Sequence, residues 1–250
     1  MSKTQKIAND DIAAFVGKQD VENRPYTDKD IDYIMHFTGY GGMANEGAKG
    51  KGLLYEYYTP EPIVKAMWGL AYLHGFTNGA ILEPSCGTGR FIKYIDPTQN
   101  TVTAYQFSGD DPTSYYIAKA AYPWVNLHNN YFESIFYNGE KREDKSGLYD
   151  LVIGNPPYGT FTGYYSGSKR EGKRFPGVRT YDQYFIAAGI HLLKSGGLLV
   201  FIIPSTLLSG AYPEFKEWLS TKADLLEAYR LPSIFTKTTL LTDIIVFKKK

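Results

Sequence analysis

The segment that most constrains this chain is an apolar run, Tyr149-Asp150-Leu151-Val152-Ile153-Gly154, followed at once by Asn155-Pro156-Pro157-Tyr158. The run has the length and composition of a buried strand. The two prolines cannot extend it, because each lacks a backbone N–H and holds φ near one value. The chain must therefore leave its sheet at the carboxyl end of that strand. In open α/β sheets this is the edge where ligands bind. An amide, rigid backbone carbonyls and an aromatic ring are presented there together. Amide and carbonyls can accept from an amino group, and the ring can cover a flat base.

Other segments supply the rest of an α/β pattern. Ala80-Ile81-Leu82 is a short apolar strand running into Glu83-Pro84-Ser85-Cys86-Gly87-Thr88-Gly89-Arg90-Phe91. Gly87 and Gly89 allow close backbone approach to a ligand, and a following helix start would offer amides to a carboxylate. Further strands are expected over 101–107, 124–127 and 198–203, with 225–231 and 243–247 as a closing pair. Helices are expected over 181–193 and 215–223. Another should start at Pro60 and Pro62, with Thr59 as N-cap and Ile63, Val64, Met67, Trp68 and Ala71 on one apolar face. Residues 1–50 form an extension, helical from Asp28 to Phe37, ending in a glycine cluster, Thr38-Gly39-Tyr40-Gly41-Gly42.

Composition excludes several classes. A chain of 250 residues with 43% hydrophobic residues can bury one large core. The formal net charge of +1 argues against a strongly basic, indiscriminate nucleic-acid binder. Local charge differs: between Gly159 and Arg179, five cations (Lys169, Arg170, Lys173, Arg174 and Arg179) face one acid, Glu171. With Tyr164, Tyr165 and Phe175 interleaved, that stretch suits phosphates and an extruded base. The single cysteine, Cys86, rules out an intrachain disulfide and a multi-cysteine zinc site, and no metal centre is expected. Without a His in evident relay, Cys86 reads as a small packing residue rather than a nucleophile. No apolar stretch approaches ~18 residues and no apolar signal core follows Met1, so a cytoplasmic location with no membrane partner is expected.

Taken together, the motifs resemble those of the γ class of N6-adenine DNA methyltransferases. Asn155-Pro156-Pro157-Tyr158 is similar to motif IV, Glu83 to Phe91 to motif I, and Tyr58-Thr59-Pro60 to motif X, immediately upstream of motif I as in that class. Thr242-Asp243-Ile244-Ile245 resembles motif VIII. The resemblance covers roughly residues 55–247. It implies a Rossmann-like class I methyltransferase fold with a seven-stranded, mostly parallel sheet and an antiparallel last strand, over residues 51–250. It also implies S-adenosylmethionine as cofactor and DNA as partner. Tyr58, Thr59, Pro60, Glu83, Ser85, Cys86, Gly87 and Gly89 would then line the cofactor site together with Asn155.

Two motifs depart from the pattern. Where relatives carry an acid for the ribose hydroxyls, this chain has Gln106, with Asp110 and Asp111 following in a loop two residues longer. Where many have Asp-Phe, it has Asn130-Tyr131. Gln106, Asp111, Asn130 and Tyr131 are the expected adenosine contacts. Tyr158 would stack on the target base, with Phe235 as the opposite wall and Lys169, Arg170, Lys173 and Arg174 on DNA. No target-recognition region is expected after motif VIII, so a separate specificity subunit or a larger parent chain would read the DNA in a restriction-modification or anti-restriction system. Methylation of a protein glutamine or an RNA base stays open on the residues alone. So does a non-catalytic module of this fold in a larger nucleic-acid-binding assembly.

Overall fold

A computed structural model describes residues 2–39, 58–107, 111–139, 141–161, 174–232 and 241–250. Strands β1 (Gly79–Glu83), β2 (Asn100–Tyr105), β3 (Asn126–His128), β6 (Tyr149–Gly154), β7 (Leu193–Pro204), β8 (Ala223–Arg230) and β9 (Thr242–Lys249) form one sheet. A separate two-stranded hairpin pairs β4 (Tyr137–Asn138) with β5 (Lys141–Arg142). The large sheet has the order β3-β2-β1-β6-β7-β9-β8. Every neighbour from β3 to β7 pairs in parallel, and β9 runs antiparallel to both β7 and β8. The antiparallel last strand is as expected from sequence.

β6, β7 and β9 read as near-continuous apolar runs because both faces of the sheet are covered, which removes any polar alternation. On one face lie α5 (Tyr181–Leu192) and α6 (Pro213–Lys222), around Phe136, Tyr184, Phe201 and Phe215. On the other lies α3 (Glu61–Leu73), which packs Val64, Met67 and Trp68 against Ile81, Val200 and Val246. At the start of α5, Gln183 Oε1 accepts from the Arg179 and Thr180 amides, the reach-back half of a capping box. α5 passes into β7 and α6 into β8 without an intervening residue.

The N-terminal extension holds more helix than its apolar spacing suggests. α1 spans Lys3–Val21 and α2 spans Asp28–Ile34. Thr27 and Asp30 cap α2 reciprocally. Both helices pack on α4 (Thr113–Ala121) through Ile12, Val16, Ile34, Phe37 and Ile117. The expected domain boundary near residue 50 lies outside the described residues.

Three local expectations need correction. Pro60, not Thr59, is the N-cap of α3, and the Thr59 hydroxyl is buried without a partner. No α-helix follows the glycine turn after β1; there is a single 3-10 turn at Ile92–Tyr94. Trp68 Nε1 takes the Phe91 carbonyl (3.1 Å), and Pro97 disfavours a helical Asp96. Finally, the helix expected to run to residue 193 stops at Leu192; Leu193 opens β7, whose pairing resumes at Leu198 after an exposed, irregular stretch over Lys194-Ser195-Gly196.

Candidate active site

The carboxyl ends of β1, β2, β3 and β6 bring the glycine turn and the Asn155-Pro156-Pro157-Tyr158 turn to one edge. After β1 the chain bends tightly: Gly89 N–H donates to the Cys86 carbonyl (2.8 Å), and Cys86 N–H to the Tyr105 carbonyl of β2 (2.9 Å). Gly87 has φ +55° and Gly89 φ +83°, a region that side chains disfavour. A Cβ on Gly87 would stand 2.9 Å from the Tyr58 ring, and one on Gly89 2.5 Å from Tyr122. Neither glycine can be replaced without displacing an aromatic ring.

Tyr58 is a wall of this turn. Its hydroxyl lies 2.8 Å from Ser114 Oγ on α4, and the Arg90 guanidinium sits 5.0 Å over its ring. Arg90 also donates to the Thr59 carbonyl (3.3 Å). Glu83 is 1% exposed, and burial holds its carboxyl well above the usual carboxylate range. A Cβ on Gly154, the last residue of β6, would be 3.6 Å from the Glu83 side chain, so Glu83 lies between the two turns. Cys86 is buried, and burial and the neighbouring Glu83 push its thiol pKa up, the surroundings of a packing residue.

The two degenerate motifs are occupied by local bonds. Gln106 Oε1 accepts from the Gly87 amide (2.8 Å), and its Nε2 donates to the Phe107 carbonyl (3.3 Å). As placed, Gln106 is a strut under the glycine turn rather than a group held out for a sugar. Asp111 Oδ1 accepts from the Thr113 amide (3.0 Å) at the start of α4. Asn130 Oδ1 accepts from the Tyr131 amide (2.8 Å). Tyr131 stacks on Phe107 with ring centroids 3.6 Å apart and 21° between planes. Phe107 joins the site without any signal in the sequence, because one aromatic at a strand end makes no periodic pattern.

At the second turn, Ser85 Oγ donates to the Asn155 carbonyl (3.0 Å), tying the glycine turn to it directly. The Tyr158 hydroxyl donates to Asn155 Oδ1 (2.6 Å) and lies 3.3 Å from the Ile202 carbonyl. Tyr158 is only 8% exposed. Its ring is thus not presented as the expected cover for a base; its hydroxyl fixes the Asn155 amide instead. Behind the turn, the Gly159 carbonyl accepts from the Tyr181 amide, the Phe161 amide donates to the Arg179 carbonyl, and the Phe161 ring stacks on Tyr184 at 4.5 Å.

Of the basic residues assigned to DNA, Lys169, Arg170 and Lys173 lie outside the described residues, as does Phe235. Arg174 is described and is turned inward. Its side chain is 6% exposed, its guanidinium lies 3.9 Å over the Phe136 ring, and it pairs with Asp144 at 2.6 Å. A guanidinium committed to a ring and a carboxylate is removed from the basic face. Among the described residues no group of His, Cys, Asp or Glu is placed to hold a metal ion, and no helix is long and apolar enough to cross a membrane.

The residues at the glycine turn fit a small ligand with polar ends. Glu83 Oε2, Thr59 Oγ1 and Thr88 Oγ1 are buried without hydrogen-bond partners. Buried polar atoms in native proteins are ordinarily satisfied. Three such atoms beside a turn whose backbone no Cβ shields describe a place where a ligand completes the bonding. Glu83 suits a cation, and the two hydroxyls suit either a donor or an acceptor.

The geometry agrees with comparison to known proteins. The chain is 28% identical over 233 residues to the "Defense against restriction protein B" of Escherichia phage P1, covering 92% of this chain and 9% of that protein. It is 32% identical over 164 residues to the type II methyltransferase M.HincII of Haemophilus influenzae, covering 62% of this chain and 29% of that protein. It therefore spans less than a third of either relative. Among solved structures, it superposes on the methyltransferase subunit of a type I restriction-modification system from Streptococcus thermophilus with TM-score 0.60 at 22% identity, covering 78% of this chain and 44% of that one. The EcoKI M protein superposes with TM-score 0.57 at 19% identity, covering 77% and 44%. These likenesses show a class I methyltransferase fold. The sequence profile of the Eco57I restriction-modification methylases matches residues 101–235, more than half of the chain. The chain thus belongs to the Eco57I restriction-modification methylase family.

Proposed function

We propose that this chain transfers a methyl group from S-adenosylmethionine to the exocyclic amino nitrogen of adenine in DNA. One observation carries the reading: Ser85 Oγ bonds the Asn155 carbonyl at 3.0 Å, fixing the donor turn and the acceptor turn against each other. The names of relatives support a DNA substrate, since M.HincII is a type II methyltransferase.

When bound, the cofactor would supply an electrophilic sulfonium methyl. Glu83 would face its ammonium, and Thr59, Thr88 and the Gly87–Gly89 backbone would take its remaining polar groups. Tyr58 and Tyr131 would flank it. Asn155 Oδ1 would accept one hydrogen of the target amino group and the Pro156 carbonyl the other. Two acceptors favour a more tetrahedral nitrogen and free its lone pair for attack. An amide oxygen accepts two hydrogen bonds, so orientation by Tyr158 is compatible with acceptance from the base. Adenine must leave the duplex to reach this edge, at a cost of a few kcal/mol. Holding donor and acceptor in line supplies much of the rate.

The division at about residue 50, the cytoplasmic location and a separate specificity subunit or larger parent chain belong to this same reading. Transfer of a tritiated methyl group is the test, followed by digestion of the nucleic acid to nucleosides. Label in N6-methyl-2′-deoxyadenosine is the expected result. Label confined to RNA or protein, or no transfer at all, overturns the assignment.

A further inference from the structure

We propose that the N-terminal helical pair α1–α2 is a working part of the cofactor site, with Phe37 as the positioning residue that seats Tyr58 against the glycine turn. The inference rests on the reading of that turn as the methyl-donor site.

Its basis is a continuous line of contacts that runs through side chains and one backbone step. Asn9, on α1, is 0% exposed. Its Nδ2 donates to the Gly39 carbonyl (2.6 Å), and its Oδ1 accepts from the Thr38 amide (3.2 Å) and hydroxyl (3.3 Å). A buried amide satisfied by a distant backbone segment fixes that segment's path, since any shift would leave polar atoms unpaired. Thr38 directly follows Phe37, which is 1% exposed in the cluster of Ile12, Val16, Ile34 and Ile117. Phe37 meets Tyr58 edge-on, with centroids 6.2 Å apart and planes at 80°. Tyr58 packs on the same cluster while its ring borders the space above Gly87. The Tyr58 hydroxyl is held from the far side by Ser114 of α4, the helix on which α1 and α2 pack. Phe37, Ser114 and the Arg90 guanidinium together support the Tyr58 ring. Loss of Phe37 lets the ring tilt away from Gly87, and the turn loses its wall.

The test uses the full chain and two substitutions in one cluster. Phe37→Ala removes the ring against Tyr58. Val16→Ala opens a cavity in the same cluster, where Val16 is also 1% exposed, but Val16 offers Tyr58 no aromatic edge. Hydrogen exchange is measured on the ligand-free protein over residues 83–92, and S-adenosylmethionine is titrated by calorimetry. Phe37→Ala is expected to raise exchange at the turn and the cofactor Kd each by roughly tenfold, the size of coupling carried by residues that do not touch the ligand. Val16→Ala is expected to change both by less than about twofold, although it lowers Tm. Tyr58→Phe keeps the ring, loses the Ser114 bond and folds if Phe37→Ala does not. It is expected to shift both readouts in the same direction by roughly threefold.

Unchanged exchange at residues 83–92 in both Phe37→Ala and Tyr58→Phe overturns the inference. So does an equal rise in Val16→Ala, which would reduce Phe37 to general packing. If the wild-type chain binds no S-adenosylmethionine while exchange still separates the variants, the functional reading fails and the seating of the turn by Phe37 stands.

Discussion

The two turns at the sheet edge are built on opposite principles. The glycine turn leaves polar atoms unsatisfied: Glu83 Oε2, Thr59 Oγ1 and Thr88 Oγ1 are buried without partners. The Asn155 turn engages its own, with the Tyr158 hydroxyl on Asn155 Oδ1 and Ser85 Oγ on the Asn155 carbonyl. The first is shaped for a ligand that completes it. The second is rigid before any substrate arrives, with its acceptor oriented by the protein itself. A small cofactor can organise its own site on binding. An amino group that must be met at a defined angle needs an acceptor already fixed.

Substitutions can break this contrast, and the largest effect falls on the second turn. Asn155→Ala is expected to lower the methyl-transfer rate by roughly 10²–10³-fold, the scale of losing one preorganised polar partner of the reacting group. Its cofactor affinity should stay within a few fold in calorimetry; abolished cofactor binding would erase the distinction between the turns.

Glu83→Gln should act on the first turn alone, weakening cofactor affinity by roughly tenfold or more, as charge-assisted bonds do. Glu83 also carries a pH signature. Burial raises its pKa above the ordinary carboxylate range in the ligand-free protein, so it holds its proton as pH rises through that range. A bound ammonium would reverse this, and binding would release a proton. Affinity should therefore increase with pH until the ligand-free group ionises. Calorimetry in buffers of different ionisation enthalpy measures the release, and Glu83→Gln should abolish it.

Tyr158→Phe tests preorganisation with a smaller change. It keeps the ring and removes a hydrogen bond worth about 1 kcal/mol, so kcat should fall by about fivefold with cofactor Kd unchanged. An unaltered kcat would mean that Asn155 needs no orienting partner. Smallest of all is the salt response. Neutralising Lys169, Arg170 and Lys173 together should flatten the dependence of log K on log salt by about 0.9 for each phosphate that is no longer neutralised. Arg174 should add nothing to that slope, because it is already paired with Asp144.

The same contrast marks what can be read from sequence. The sheet, its antiparallel last strand and both turns are legible, because apolar runs ended by proline or glycine leave few alternatives. α1 is not. Its buried positions, Asn9, Ile12, Val16 and Gln19, keep a helical spacing, but two of the four are polar and no apolar stripe appears. The expected helix after the glycine turn is cut to a single 3-10 turn, beside which Trp68, far away in sequence, donates to the Phe91 carbonyl, a tertiary partner that local spacing does not announce. The direction of an amide is equally invisible. Gln106 sits at the strand end, as its position in the chain implies, yet its oxygen serves Gly87, and only the fold decides which neighbour it meets.

The seamless passage of α5 into β7 and of α6 into β8 has a consequence for engineering this scaffold. One residue inserted at the junction meets an irregularity just inside each strand, Leu193 to Leu198 of β7 opposite Tyr149 to Leu151 of β6 and Leu225 to Glu227 of β8, which can absorb it before the apolar run is turned to the opposite layer. Grafted peptides and reporter tags therefore belong at that irregular stretch of β7, on the rim opposite the candidate site, where Ser195 and Gly196 are exposed.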